Sequence, residues 1–278
     1  SPIESLRQFM YPTFQGNKAT EYGNICEPRC ESMFTNFQIS RVLNSELSQC
    51  KKYILIDTKV MSYGICVKRD FPVCGYSPDG VLEEVWRHLE TNAIKKKRSV
   101  IEYKCPFYKR NTTVQKLKSS VGNLYPQNMI DMSDGKSIKQ PIPPYYYTQI
   151  QWGNYVMRDT VLQPADLIDD NKMDEPSDSW FVVWIPKCEN SMKKCHDQFT
   201  FSNWQNKEKN STFYSSSEGT MQVTRIKYNK EFTEKNLLKP ALQWWTDTYI
   251  PVLYDYLRGK ISYGELNVYT NAIDILVN

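Results

Sequence analysis

Apolar residues recur at steps of three and four over residues 18–38. Tyr22, Cys26, Cys30, Met33, Phe34 and Phe37 form one stripe there, which predicts a helix with a single buried face. Pro28 interrupts that pattern and removes one backbone donor, so a kink or restart is expected beside Glu27. From residue 53 the period shortens. Tyr53-Ile54-Leu55-Ile56 and Gly64-Ile65-Cys66-Val67 predict strands, and Ser77-Pro78-Asp79-Gly80 predicts a turn carrying a carboxylate. Residues 86–98 are dense in charge and read as an exposed connection. Residues 99–105 then alternate strictly, with Val100, Glu102 and Lys104 on one face and Ile101, Tyr103 and Cys105 on the other.

Residues 111–142 are polar and rich in turn formers, which predicts a long loop or a short helix with flexible flanks, a candidate functional segment by its length. Pro143-Pro144 opens a predicted helix over 145–160, because proline is tolerated in a first helical turn. Trp180-Phe181-Val182-Val183-Trp184-Ile185 predicts a buried strand. The polar stretch 187–218 reads as an insertion, followed by a strand at 220–228 and a last helix at 231–258 in which Trp244 and Trp245 are expected to serve as core. Strands interleaved with helices predict an α/β protein, a central mixed sheet flanked by helices, as one domain over 1–278 with insertions at about 86–98, 111–142 and 187–218.

Composition adds two facts. Net charge is only +4, so basic character is local, at Lys95–Arg98, Lys109-Arg110 and Lys116/Lys118. The last four follow the charged strand closely and are expected to touch phosphates. Eight cysteines lack any paired Cys-x2-Cys spacing and follow no apolar N-terminal signal, so they are read as reduced intracellular thiols. A zinc site at Cys188, Cys195 and His196 would need a fourth ligand nearby. No stretch reaches the roughly 20 apolar residues that a membrane-spanning helix needs, so no membrane partner is expected.

The chemistry is concentrated in Glu102-x-Lys104. A period of two places carboxylate and ammonium side by side on one strand, a pair that is usually a surface ion pair. Here the strand is otherwise apolar, and a central strand seldom carries two charges on one face without use. With Asp79 upstream, the residues make the Pro-Asp…Glu-x-Lys pattern of metal-dependent nucleases. Asp79, Glu102 and the Tyr103 carbonyl supply hard oxygen ligands for Mg²⁺ or Mn²⁺. Glu27 would serve a second ion, Lys104 would orient water and stabilise developing charge, and Gln149 would hydrogen-bond the phosphate or the water.

Four blocks in order, Gly23-x3-Glu27-x2-Cys30, Tyr76-Ser77-Pro78-Asp79-Gly80, Ile101-Glu102-Tyr103-Lys104-Cys105-Pro106-Phe107 and Tyr146-x2-Gln149-x-Gln151, resemble the phage lambda exonuclease-like, or YqaJ-type, viral recombinases of the PD-(D/E)XK superfamily. The resemblance implies that fold, with Asp79, Glu102 and Glu27 as metal carboxylates, Lys104 as the catalytic lysine and Gln149 near the scissile phosphate. It further implies phosphate or DNA contact at Ser77 and Tyr146. By resemblance the activity is 5′→3′ digestion of duplex DNA from free ends with two ions, by a ring-shaped trimer working with a single-strand annealing protein in recombination, repair or replication. The Lys-, Asn- and Tyr-rich composition resembles the branch of large eukaryotic DNA viruses such as African swine fever virus, implying the host cytoplasm, or else the nucleus. The family's upstream arginine that pins the 5′-phosphate has no clear match. An endonuclease or RNA-degrading enzyme on the same fold, and a non-catalytic nucleic-acid or host-factor binding protein, are the alternatives.

Overall fold

The computed structural model describes residues 16–44, 49–50, 52–71, 73–107, 128–131, 137–140, 142–158, 161–162, 178–186, 204–206, 211–215, 219–262 and 264. Lys109, Arg110, Lys116, Lys118, Cys188, Cys195 and His196 lie outside these residues. Two compact units are distinguished, Asn17–Lys230 and a second that takes in the described residues from Glu231.

The first unit begins with helix α1, Lys18–Leu43. Its start is set by Asn17, whose side-chain oxygen accepts from the Ala19 and Thr20 N–H groups at 2.9 and 3.1 Å. The stripe expected from the three-and-four spacing is buried throughout. Pro28 does not end the helix or restart it. The carbonyl it deprives of a partner is that of Asn24, and both residues are exposed, so solvent can reach it.

Strands β1 (Gln49–Cys50), β2 (Tyr53–Met61), β5 (Gly80–His88), β6 (Ile94–Lys104), β9 (Asp178–Pro186), β10 (Trp204–Asn206), β11 (Ser211–Ser215) and β12 (Gly219–Lys227) form one eight-stranded sheet. Their order is β1-β2-β5-β6-β9-β12-β11-β10. All neighbours are antiparallel except β6 and β9, which run parallel. A parallel pair needs a crossover, and helix α2 (Pro144–Met157) lies within the one between them. Two small ribbons stand apart from this sheet: β3 (Cys66–Val67) with β4 (Gly75–Tyr76), and β7 (Asn128–Asp131) with β8 (Ser137–Gln140).

Each sheet face has its own core. Helix α1 covers Leu82, Ile101, Tyr103, Trp180, Val182, Trp184, Met221 and Val223. On the opposite face Val81 and Val100 pack with Tyr76 and with Val156 and Met157 of α2. The alternation of residues 99–105 is therefore the division between two cores. Val100 goes one way, Ile101 and Tyr103 the other.

Three segment readings change. Residues 86–98 are not an exposed connection: β5 and β6 pair continuously from Gly80↔Ile101 to Arg87↔Ile94, leaving only 89–93 as the turn. The charges misled because they are matched across the hairpin. Arg98 donates to Glu83 at 2.8 Å, and Asn92 takes the left-handed conformation (φ 56°) that the tight turn requires. The polar stretch 187–218 contributes β10 and β11 to the sheet, and the loop expected over 111–142 contains β7 and β8.

From Lys230 onward the predicted last helix is built from α-helical pieces at Lys230–Phe232 (α3), Lys239–Trp244 (α4) and Ile250–Leu257 (α5), with π-helical pieces Thr233–Leu238 and Trp245–Tyr249. Each π piece ends where a five-residue step is made just ahead of a proline. Lys239 N–H bonds the Glu234 carbonyl before Pro240, and Ile250 N–H bonds that of Trp245 before Pro251. Trp245 stacks on buried Tyr249 at 4.4 Å, but Trp244, expected in the core, is exposed.

Candidate active site

The site forms where β5 begins beside the C-terminal end of β6. Gly80 is the first residue of β5 and pairs with Ile101, so the backbone ladder stops two residues short of Tyr103. The Asp79 carboxylate takes over, accepting from the Tyr103 main-chain N–H at 2.8 Å. The lone turn carboxylate and the strand motif are thus joined by one hydrogen bond.

Glu102 has no solvent exposure. Its Oε1 accepts from the Lys104 ammonium and from Gln149 Nε2, the latter at 2.6 Å. Its Oε2 accepts from the Tyr76 hydroxyl at 2.8 Å. Lys104 also stands 3.6 Å from Asp79 Oδ2, so one ammonium bridges both carboxylates. Burial, reinforced by the Asp79 charge and opposed by Lys104, pushes the Glu102 carboxyl up to about 7. Burial alone would lower Lys104, but Glu102 and Asp79 outweigh it and hold the ammonium above its ordinary range.

Glu27 comes from the other direction, on α1. It is half-buried, and its carboxyl is raised first by burial and then by the negative charge of Asp79, with Lys104 opposing. The structure therefore brings Asp79, Glu102, Lys104 and Gln149 into direct contact and leaves Glu27 within electrostatic reach of Asp79 and Lys104. Tyr146 places its ring 5.4 Å from the Lys104 nitrogen. Exposed Tyr145 packs on Tyr146 at 4.2 Å between centroids. Ser77 is exposed on the segment between Tyr76 and Asp79. Gln151 points elsewhere: its side chain bonds the Lys227 carbonyl and the Asn229 N–H, tying α2 to the end of β12.

Three carboxylates and a strand carbonyl are hard oxygen donors, the kind a divalent cation such as Mg²⁺ or Mn²⁺ selects. Asp79 disfavours ionisation of both other acids, so this concentration of negative charge calls for a cation. Lys104 already meets part of that demand. Among the described residues no three His, Cys, Asp or Glu side chains stand in an ion-holding arrangement, and the Glu102 oxygens are engaged by Lys104, Gln149 and Tyr76. The donor chemistry fits a hard divalent ion.

Tyr76 is the site residue that the spacing of polar positions did not single out. It stood within the Tyr76–Gly80 block, but a two-residue strand has no periodicity to show where its side chain goes.

A family model described as the YqaJ-like viral recombinase domain matches residues 3–157, which contain Glu27, Asp79, Glu102, Lys104 and Gln149. No curated protein matched the sequence.

Proposed function

Because the chain belongs to the YqaJ-like viral recombinase family, whose members are nucleases of recombination, we propose that it is a Mg²⁺- or Mn²⁺-dependent exonuclease degrading duplex DNA 5′→3′ from free ends on a PD-(D/E)XK fold. The observation that carries this reading is the contact between Glu102, Lys104, Asp79 and Gln149 at the junction of β5 and β6.

In the proposed reaction Asp79, Glu102 and the Tyr103 carbonyl would hold one ion, and Glu27 would contribute to a second. When bound, such ions activate water and polarise the scissile phosphate. Lys104, kept fully protonated by its two carboxylates, stabilises negative charge on the phosphate as the bond breaks. Gln149 directs its amide N–H at the same locus and orients the attacking water or a phosphate oxygen. Tyr146 and Ser77 border the site and would contact the strand, with Lys109, Arg110, Lys116 and Lys118 as further phosphate contacts. The role is viral DNA recombination, repair or replication in an infected cell, as a trimer partnered by a single-strand annealing protein.

The test is time-resolved digestion of 5′-phosphorylated, end-labelled duplex in Mg²⁺ or Mn²⁺, beside closed circular DNA and RNA. Progressive loss of the duplex from its 5′ ends is expected, with circles and RNA intact. Cutting of circles would overturn the exonuclease reading, and no hydrolysis of any substrate would overturn the nuclease reading.

A further inference from the structure

We propose that Tyr76 is a positioning residue for Glu102, and that Gly153 exists to admit its ring. The inference rests on the nuclease reading above and concerns how one metal-holding carboxylate is aimed.

The two oxygens of Glu102 have different partners. Oε1 faces Lys104 and Gln149, the reacting side, whereas Oε2 is taken by the Tyr76 hydroxyl alone among the contacts described. A carboxylate without solvent exposure pays heavily for an unmatched oxygen, so this bond stabilises one orientation of the group over its rotamers. Lys104 and Gln149 by themselves could follow Oε1 as it turned. Tyr76 anchors the opposite end.

Tyr76 is itself held rigidly. It belongs to the β3–β4 ribbon, outside the main sheet, and lies in the core formed by Cys74, Val81, Val100, Val156 and Met157. Its ring crosses α2 at Gly153, where an added Cβ would stand 2.5 Å from the Tyr76 Cε1 and 2.6 Å from its Cζ. One residue earlier on α2, Trp152 Nε1 donates to the Gly75 carbonyl at 3.2 Å. Glycine inside a helix costs about 1 kcal/mol relative to alanine. Here that cost has a local cause: only a residue without a side chain lets the phenol pass to Glu102.

The experiment measures Mn²⁺ binding to the full chain without DNA, by electron paramagnetic resonance, together with kcat and KM for duplex digestion. Tyr76→Phe keeps the ring and removes the bond. It should weaken Mn²⁺ binding by roughly tenfold to a hundredfold, as loss of a partner to a metal ligand typically does. The drop should fall on kcat, with KM for DNA little changed and the melting temperature near that of the wild type. Gly153→Ala should also weaken Mn²⁺ binding, because the ring is displaced. A Y76F protein that binds Mn²⁺ like the wild type, or that loses its fold, overturns the proposal. A G153A protein that binds normally overturns the part assigned to Gly153. A wild type that takes up no Mn²⁺ defeats the nuclease reading and this inference together, whereas wild-type binding unaffected by Y76F defeats this one alone.

Discussion

The Asp79 carboxylate caps the Tyr103 main-chain N–H at 2.8 Å, replacing the strand partner that β5 no longer supplies. Tyr103 lies between Glu102 and Lys104, so this bond fixes the distance between a turn and the two charged groups of the strand. It also explains how an acid in a Pro-Asp-Gly turn becomes part of a site rather than a surface turn. Its other role is electrostatic, since Lys104 lies 3.6 Å from the same oxygen.

Removing the ammonium tests the chemistry most directly. Lys104→Ala is expected to lower kcat by about 10²- to 10³-fold, the scale seen when one charge-stabilising donor is deleted. Timed digestion of end-labelled duplex reads the effect. A K104A enzyme turning over at the wild-type rate would remove this lysine from the mechanism.

Proton binding at Glu102 sets a pH dependence in the metal-free protein. Its carboxyl is raised from 4.5 to about 7, so between those values the folded chain holds a proton that the unfolded chain has released. Stability from this group is therefore complete below about pH 4.5 and lost as pH rises to about 7. Melting curves of wild type against Glu102→Gln should diverge over that interval. Added Mn²⁺ should raise the wild-type melting temperature more at pH 8 than at pH 6, because it competes with the proton.

Arg41 of α1 bonds Glu84 of β5 at 2.6 Å, both nearly without exposure. Burial pushes the Glu84 carboxyl up, but Arg41 first, then Arg225 and Lys97, outweigh it and hold it below its ordinary value. That stabilisation is present near neutral pH and is lost as pH falls through the lowered value. Glu84→Gln should cost about 3–5 kcal/mol at neutral pH, since it breaks a buried pair. It should also flatten the acid limb of stability. Urea denaturation across pH 3–7 checks both.

Gly153→Ala sets two effects against each other. Helix propensity favours the alanine by about 1 kcal/mol, while overpacking against Tyr76 costs about 1–3 kcal/mol, so a net loss of stability is expected. In a Tyr76→Ala background the clash disappears and the same substitution should stabilise. Denaturant midpoints of the four proteins decide this, and a stabilised single G153A variant would refute the packing argument.

Wherever one element controlled its own pattern, that pattern was readable along the chain. The α1 stripe of Tyr22, Cys26, Cys30, Met33, Phe34 and Phe37, the alternation through Glu102 and Lys104, and the helix opened by Pro143-Pro144 all follow from local period and backbone chemistry. Pairing across distance was not readable. Residues 86–98 looked solvated because charge density is a one-dimensional quantity. Glu83 and Arg98 meet only after the hairpin closes, fifteen positions apart along the chain.

The amino-acid order by itself therefore determined the main helices and inner strands, the two faces of β6 and the residue types able to hold a divalent ion. Tertiary structure alone decided that Tyr76 and Gln149 end on opposite oxygens of Glu102, and that a helical glycine makes the first of these contacts sterically feasible. The physical reason is that period and propensity act within a few residues, whereas hydrogen bonds between ribbon, strand and helix depend on packing that only the folded chain supplies.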